Sequence, residues 1–439
     1  ANVLNALAGK LTYSNFATGE KNLTGVVKIA DGLTASSAAL ETGDITFNEK
    51  GQGTYVKPEP VDDTHFTEKI TGGLDQKYVD LGIEKEQGVY TFVKDTVIDV
   101  TKGKDTAMVA IGSKGGSVMI NADGKTLDVS FHSDKTFAAR AIASETYYGG
   151  KPITIKADKL NLNAEAVDGE SQGIFAKVGS TITIDADTTI TTSSNKESNG
   201  IYAGNRGVVN MNGDLNIKED TKAAAYYALK TDGNGVINVN LKDGNAGDSV
   251  VKFTGDIYAK TNESSINLAL KGKNSQWTGR SLNESADSEK RGSFNLWLAD
   301  GASWTNQVTG KNVPSGFAGS HVTNFVGGAS AAAAGNIFQN DANNLTIDNY
   351  SGNTNIFYAH TGNGEAASDY AAGDTVIRHA EKDSVVSLIT DNSGIAMDNE
   401  YSVANVLNAL AGKLTYSNYV NSENNLTGYV KIADGLTAS

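Results

Sequence analysis

From Met108 to about Leu270, apolar and polar residues alternate in short runs. In "STITIDADTTITT", Ile182, Ile184 and Ile190 fall on one side of an extended chain, with Thr and Asp on the other. The same alternation pairs Val118 with Ile120, Ile153 with Ile155, Leu160 with Leu162, Val209 with Met211 and Leu215 with Ile217, and links Ile266, Leu268 and Leu270. Successive side chains of a strand face opposite sides, so each run predicts a short strand with one buried face. Asp123-Gly124 and Gly213-Asp214 supply residues that tolerate left-handed turns between the runs.

The runs recur in a fixed order. "MVAIGSKGGSVMINADGKTLDVSF", "IASETYYGGKPITIKADKLNLNA", "IFAKVGSTITIDADTTITT", "IYAGNRGVVNMNGDLNI" and "YYALKTDGNGVINVNL" each open on an apolar knot ending in Ala, then a turn, then alternating strands. The marks are Ala110, Ala143, Ala176, Ala203, Ala228 and, less regularly, Ala259, spaced 33, 33, 27, 25 and 31 residues apart. Such a period holds two or three short strands, which is one coil of a parallel β-solenoid. A coil cannot bury its apolar face alone and must stack on its neighbours. A sandwich or barrel of hairpins also has regularly spaced short strands, but hairpins mirror their marks and these repeat in order. The expected fold is all-β, a right-handed parallel β-solenoid (β-helix), with Ile120, Ile155, Ile184, Met211 and Leu268 pointing into one narrow interior.

The two ends read differently. In "YSVANVLNALAGKLTY", Val403, Val406, Leu407, Leu410, Ala411 and Leu414 form a helical stripe, with Ser402 as expected start cap and Gly412 as end. Val3, Leu4, Leu7, Ala8 and Leu11 repeat that stripe. Residues 1–36 match 404–439 at a constant offset of 403, differing only at Phe16/Tyr419, Ala17/Val420, Thr18/Asn421, Gly19/Ser422, Lys21/Asn424 and Val26/Tyr429. This duplication suggests a window on a longer chain with a period near 400 residues. "GDITFNEKGQGTYV" predicts a hairpin turning near Gly51-Gln52-Gly53. The expected organisation is 1–60, the end of one repeat unit with helix and hairpin; 61–397, the solenoid body; and 398–439, the start of the next junction.

Composition narrows the function. The chain has 439 residues and a net charge of −14, with 37 Lys and Arg against 51 Asp and Glu. That argues against nucleic acid as a partner, since phosphate binding needs concentrated positive charge. Gly is abundant at 48, in keeping with many tight turns, and Cys is absent. Freedom from thiols suits an exported protein that crosses an oxidising compartment. No signal peptide and no run of 18 apolar residues is present.

Trp277 in "SQWTGRSL" and Trp304 in "GASWTNQVTG" are expected to stack between coils and seal a face, with Trp297 in "FNLWLADGASW" the third of the chain; an exposed Trp could instead grip a sugar or a partner protein. Together with "NNLTIDNYSGNTNIFYAH", "AAGDTVIRHAEKDSVVSLITDNSGIA" and "VANVLNALAGKL", these segments resemble the passenger region of large autotransporter-type surface proteins of Gram-negative bacteria, in style across residues 100–439. The resemblance implies an exported β-helical stalk outside the outer membrane, often adhesive.

Catalytic and metal-binding patterns are weak. His65, His132, His321, His360 and His379 form no HExxH pair. A zinc site from His360, His379, Glu365 and Asp369 has only proximity in sequence to support it. No GxSxG or Walker-type loop occurs. Polysaccharide enzymes also use β-solenoids, with clustered carboxylates for calcium or acid/base work. Asp185 with Asp187, and Asp214 one coil away, are the acidic candidates. Asp243, Asn245 and Asp248 in "KDGNAGDS" are the calcium candidates. Asp185 and Asp187 straddle a turn, where Asp is common for backbone reasons, and "DGNAGDS" lacks the regular Gly-Gly-x-Gly-x-Asp nonapeptides of calcium solenoids, so no catalytic, cofactor-binding or metal-ligating residue is assigned. The expectation is a non-catalytic structural and adhesive repeat of an extracellular surface fibre, without cofactor. Its partners would be adjacent repeats or subunits end to end, and surface proteins or glycans met through loops near 280–292 or 311–325. The alternative is a β-helical protein that binds or cleaves polysaccharide.

Overall fold

The computed structural model describes residues 6–13, 23, 25–30, 39–56, 65–66, 70–71, 85–86, 89–101, 109–113, 116–133, 138–144, 151–282, 291–309, 317–370, 373–418 and 424–434. The chain divides into two compact units, Ala1–Asp63 and Thr64–Ser439.

The larger unit is a β-solenoid of stacked parallel coils. Each coil places a strand on a first face and a second strand, after a corner, on a second face. Val118–Ser133, Ile153–Ala166 and Thr181–Ser194 run across that corner as single bent strands. In the next coil Gly213, at φ +116°, breaks the corner into Val208–Asn212 and Leu215–Lys218. A third face carries an eight-stranded parallel sheet from Ile70–Thr71 to Ser281–Leu282.

Parallel pairing in register stacks like on like. On the first face the interior column runs Tyr90, Ile120, Ile155, Ile184, Met211, Val239, Leu268, Leu296, Phe325, Tyr350 and Ala380, each opposite the next. All are buried. The five side chains expected to share one interior do so, and Val239 is the rung between Met211 and Leu268. The second face has its own column, from Ile98 through Val129, Leu162, Ile190, Ile217 and Phe253 to Trp277, Trp304, Ile337, Ile356 and Leu388. The third-face column is Ile111, Ile142, Ile174, Ile201, Leu229 and Ile257. The six Ala marks are buried on this face but slip in register. Ala143 stands opposite Phe175, Ala176 opposite Ala203, and Ala203 opposite Thr231.

The tryptophans pack as expected. Trp277 and Trp304 stack at 4.6 Å between ring centroids, 6° from parallel. Their indole N–H groups donate to the Gly255 and Gly279 carbonyls, both at 2.9 Å. Those glycines have φ of +136° and +154°. A Cβ on Gly279 would lie 2.2 Å from the Gly255 oxygen and 2.9 Å from the Trp277 nitrogen, so the indole contact requires glycine there.

The helix spans Glu400–Ala411 and ends at Gly412. Its start differs from the sequence expectation. The cap is Asn399, whose side chain accepts from the N–H groups of Tyr401 and Ser402. Ser402 is instead inside the first turn and buried. Asn is as good an N-cap as Ser, and the apolar stripe alone does not distinguish the two. Val406 and Leu410 are buried, and Leu410 belongs to the solenoid core.

The smaller unit holds a three-stranded antiparallel sheet of Gly25–Ala30, Ala39–Phe47 and Gly53–Val56. The hairpin turns at residues 48–52, with Gly51 at φ +74°. Asn48 Oδ1 accepts from the Lys50 and Gln52 N–H groups, both at 3.0 Å.

The interior column dictates a first test. Ile184→Ala removes atoms from a fully buried rung and is expected to destabilise the chain by about 2–5 kcal/mol in urea unfolding. Thr183→Ala, on the outward side of the same strand, should cost less than about 1 kcal/mol. Equal losses at the two positions would contradict this interior.

Candidate functional site: an outward amide ladder

The same register that stacks isoleucines inside stacks asparagines outside. One residue before each interior rung of the first face stands Asn210, Asn238, Asn267, Asn295, Asn324 or Asn349, in register from coil to coil. Parallel strands about 4.8 Å apart bring identical amides within hydrogen-bonding reach. Each Nδ2 donates to the Oδ1 of the preceding coil's amide, at 2.8, 2.7, 2.6, 2.6 and 3.0 Å in order along the chain. Asn210 extends the ladder by donating to Thr183 Oγ1 at 3.3 Å. His379 follows Asn349 in register and contacts Asn418.

This ladder was not singled out from sequence. Its signal is an Asn immediately before the apolar rung in "NM", "NV", "NL", "NL", "NF" and "NY". An amide has two N–H donors and two acceptor lone pairs, and the ladder uses one N–H and one acceptor of each interior member. Trp297 faces outward two residues after Asn295 and is half-buried, with Ala269 and Val326 opposite it. Two clefts open beside the ladder. One, of about 270 Å³, is lined by Thr183, Asn210, Asn212, Asn238, Leu241 and Gly244. The other, of about 320 Å³, lies by Asn324, Asn349 and His379.

Each acidic candidate is engaged with a neighbouring coil. Asp185 ends the first-face strand and accepts from Asn212 Nδ2 at 2.6 Å. Asp187 begins the second face and accepts from the Asp214 N–H at 3.0 Å. Asp214 accepts in turn from the Val250 N–H at 2.7 Å, and Asp95 from the Thr126 N–H at 2.8 Å. Asp95, Asp187 and Asp214 form a corner motif in which each carboxylate satisfies a backbone donor of the next coil.

The calcium candidates Asp243 and Asp248 line one open cleft, but each has another role. Asp243 and Gly244, at φ +51° and +79°, form the two-residue turn of a small hairpin that pairs Leu241–Lys242 with Asn245–Ala246. Asp248 bonds Lys271 at 2.6 Å, which holds its carboxyl below the usual range. The proposed zinc set divides among other partners. His360 lies 3.0 Å from Asp391, and Glu365 accepts from Asn405 at 3.1 Å. Asp369 accepts from the Ala366 N–H at 3.1 Å. Among the described residues no group of three or more His, Cys, Asp or Glu is placed to hold a metal ion. Of the expected adhesive loops, 283–290 and 310–316 lie outside the described residues.

Two ionic clusters escaped the sequence reading. Asp256 and Arg280, both buried, pair at 2.6 Å, and Thr309 adds a hydrogen bond to Asp256 at 3.0 Å. Asp348, just before the last asparagine of the ladder, receives Arg291 at 2.6 Å, His321 at 2.8 Å and Arg378 at 3.1 Å. Burial lowers the His321 pKa more than Asp348 raises it, and Arg291 and Arg378 push the same way as burial. Burial alone would raise the Asp348 carboxyl. The His321 hydrogen bond and the facing positive charges outweigh that and hold it low.

No family model matches the chain, and no curated protein and no solved structure matches it either.

The Asp348 cluster sets a pH dependence. His321 is harder to protonate when folded, so below about pH 6.5 the unfolded chain takes up the proton first and stability falls. Asp348 acts in the same sense at lower pH. Wild type is therefore expected to lose melting temperature between pH 7 and pH 5, and His321→Gln to lose less over that window. An equally steep fall in the variant would exclude His321 as a source.

Proposed function

We propose that the chain is a non-catalytic structural repeat of an extracellular surface fibre of the autotransporter type, with an adhesive outer face. The supporting observation is the unbroken interior column from Tyr90 to Ala380 with the amide ladder outside it. Such a stack resists pulling and proteolysis through its backbone ladders, and needs no cofactor. Its partners are further copies joined end to end, and glycans or surface proteins that lie along the outward Asn and Trp297 face. Neutral amides beside a half-buried indole suit sugar hydroxyls and apolar sugar faces. The cysteine-free composition supports export beyond a Gram-negative outer membrane.

The enzyme reading gains no support from Asp185 and Asp187, because both carboxylates are engaged with the neighbouring coil. Incubation of the purified chain with neutral and acidic polysaccharides is expected to release no reducing ends. Binding on a glycan array should weaken about tenfold in Trp297→Ala, the scale of a lost aromatic contact of about 1.4 kcal/mol. Sugar release that Asp185→Asn abolishes would replace the fibre by an enzyme.

A further inference from the structure

Gly25–Ala30 and Gly428–Ala433 read GVVKIA and GYVKIA, differing only at Val26/Tyr429. Their neighbours differ. Gly25–Ala30 runs antiparallel to Ala39–Phe47, with Gly25 opposite Ile45, Val27 opposite Gly43 and Ile29 opposite Glu41. The second copy lies in the strand Leu426–Ala433, which runs parallel to Ser384–Asp391. Among the described residues it pairs with no other strand. Tyr429 and Val430 on this strand are 59% and 37% exposed.

Backbone parity shows which edge each contact uses. In a strand the N–H and C=O of one residue point to one edge, and those of the next residue to the other. The Ser384 N–H donates to the Asn425 carbonyl at 3.2 Å. Asn425, Thr427, Tyr429 and Lys431 therefore face the solenoid, and Gly428, Val430 and Ile432 present their backbone groups at the open edge. In the hairpin the Asn48 N–H donates to the Gln52 carbonyl at 3.0 Å. Asp44 and Thr46 therefore face Gly53–Val56, and Glu41, Gly43 and Ile45 face Gly25–Ala30. Their partners Gly25, Val27 and Ile29 are the counterparts, at the offset of 403, of Gly428, Val430 and Ile432. One strand sequence can thus bond a solenoid strand on one edge and the hairpin on the other, with no backbone group used twice.

We propose that the open edge of Leu426–Ala433 docks the hairpin Ala39–Val56 of a second copy of this chain. The register is Gly428 to Ile45, Val430 to Gly43 and Ile432 to Glu41 of that copy. The hairpin exchanges its own Gly25–Ala30 for a nearly identical strand, so the bonds lost are regained in kind. The helical segments preceding the two strands also differ in their surroundings. Leu410 is fully buried in the solenoid core, whereas its counterpart Leu7 is 50% exposed. The proposal rests on the reading of the chain as an end-to-end repeat, and specifies the joint.

Because the chain has no Cys, disulfide trapping tests the register directly. Lys431 corresponds to Lys28, which stands opposite Thr42. Full-length Lys431→Cys is mixed with full-length Thr42→Cys and oxidised under native conditions. A second mixture uses Thr46→Cys, on the same edge of the hairpin strand but about 13 Å further along. The first mixture is expected to give on the order of tenfold more disulfide-linked heterodimer, since Cα atoms more than about 7 Å apart cannot be bridged without backbone movement. Adding Val430→Pro to the Lys431→Cys chain removes an open-edge N–H and should abolish the excess, leaving the circular dichroism spectrum unchanged. Equal yields in the two mixtures, or no heterodimer in either, would overturn the docking. A chain that gives no register-specific disulfide yet still binds glycans without cleaving them would lose this joint and keep the adhesive reading.

Discussion

Everything in the larger unit depends on parallel strands stacked in register. Once coils pair residue for residue, each side chain sits about 4.8 Å above its counterpart in the coil below. Inside, that spacing suits branched aliphatic and aromatic side chains, which fill the interior as continuous columns. Outside, it suits amides, which bond to one another along the stack. The isoleucines and the asparagines are two consequences of one geometry. Each coil contacts only its neighbours, so stability is close to a sum of rung and interface contributions along one axis.

The corners show what their acidic residues do. Turning the chain from one face to the next interrupts the ladder and leaves backbone donors to satisfy. Asp95, Asp187 and Asp214 supply the acceptors. A carboxylate used in this way is held by the coil above it and is poorly placed to work as an acid or base. The Trp277–Trp304 stack solves a related problem, filling a wide section of the interior while each indole N–H reaches a glycine carbonyl.

Much of this was legible in sequence because the alternation is strong. Ile120, Ile155, Ile184, Met211 and Leu268 identify the interior by their period alone. Val239 was passed over because it lies among asparagines. The Ala marks located the third face but not its register, since loops of unequal length shift Ala143 and Ala203 against their neighbours. The amide ladder stayed hidden because Asn ordinarily signals turns, and only the stacking gives it a strand role. The Asp348 cluster joins Arg291 and Asp348 across 57 residues of chain, a contact that no local pattern encodes. The helix cap moved from Ser402 to Asn399 because both residue types cap equally well.

The parallel stack itself can be measured with spin labels in this cysteine-free chain. Met119, Thr154, Thr183, Asn210 and Asn238 are successive members of one outward column, and Asn349 lies four coils beyond Asn238. Electron–electron resonance between labels at Met119 and Asn238 should give a distance of about 19 Å, and between Met119 and Asn349 about 38 Å, in proportion to the number of coils crossed. Distances that fail to grow with coil number would contradict a parallel stack and the fibre proposed from it.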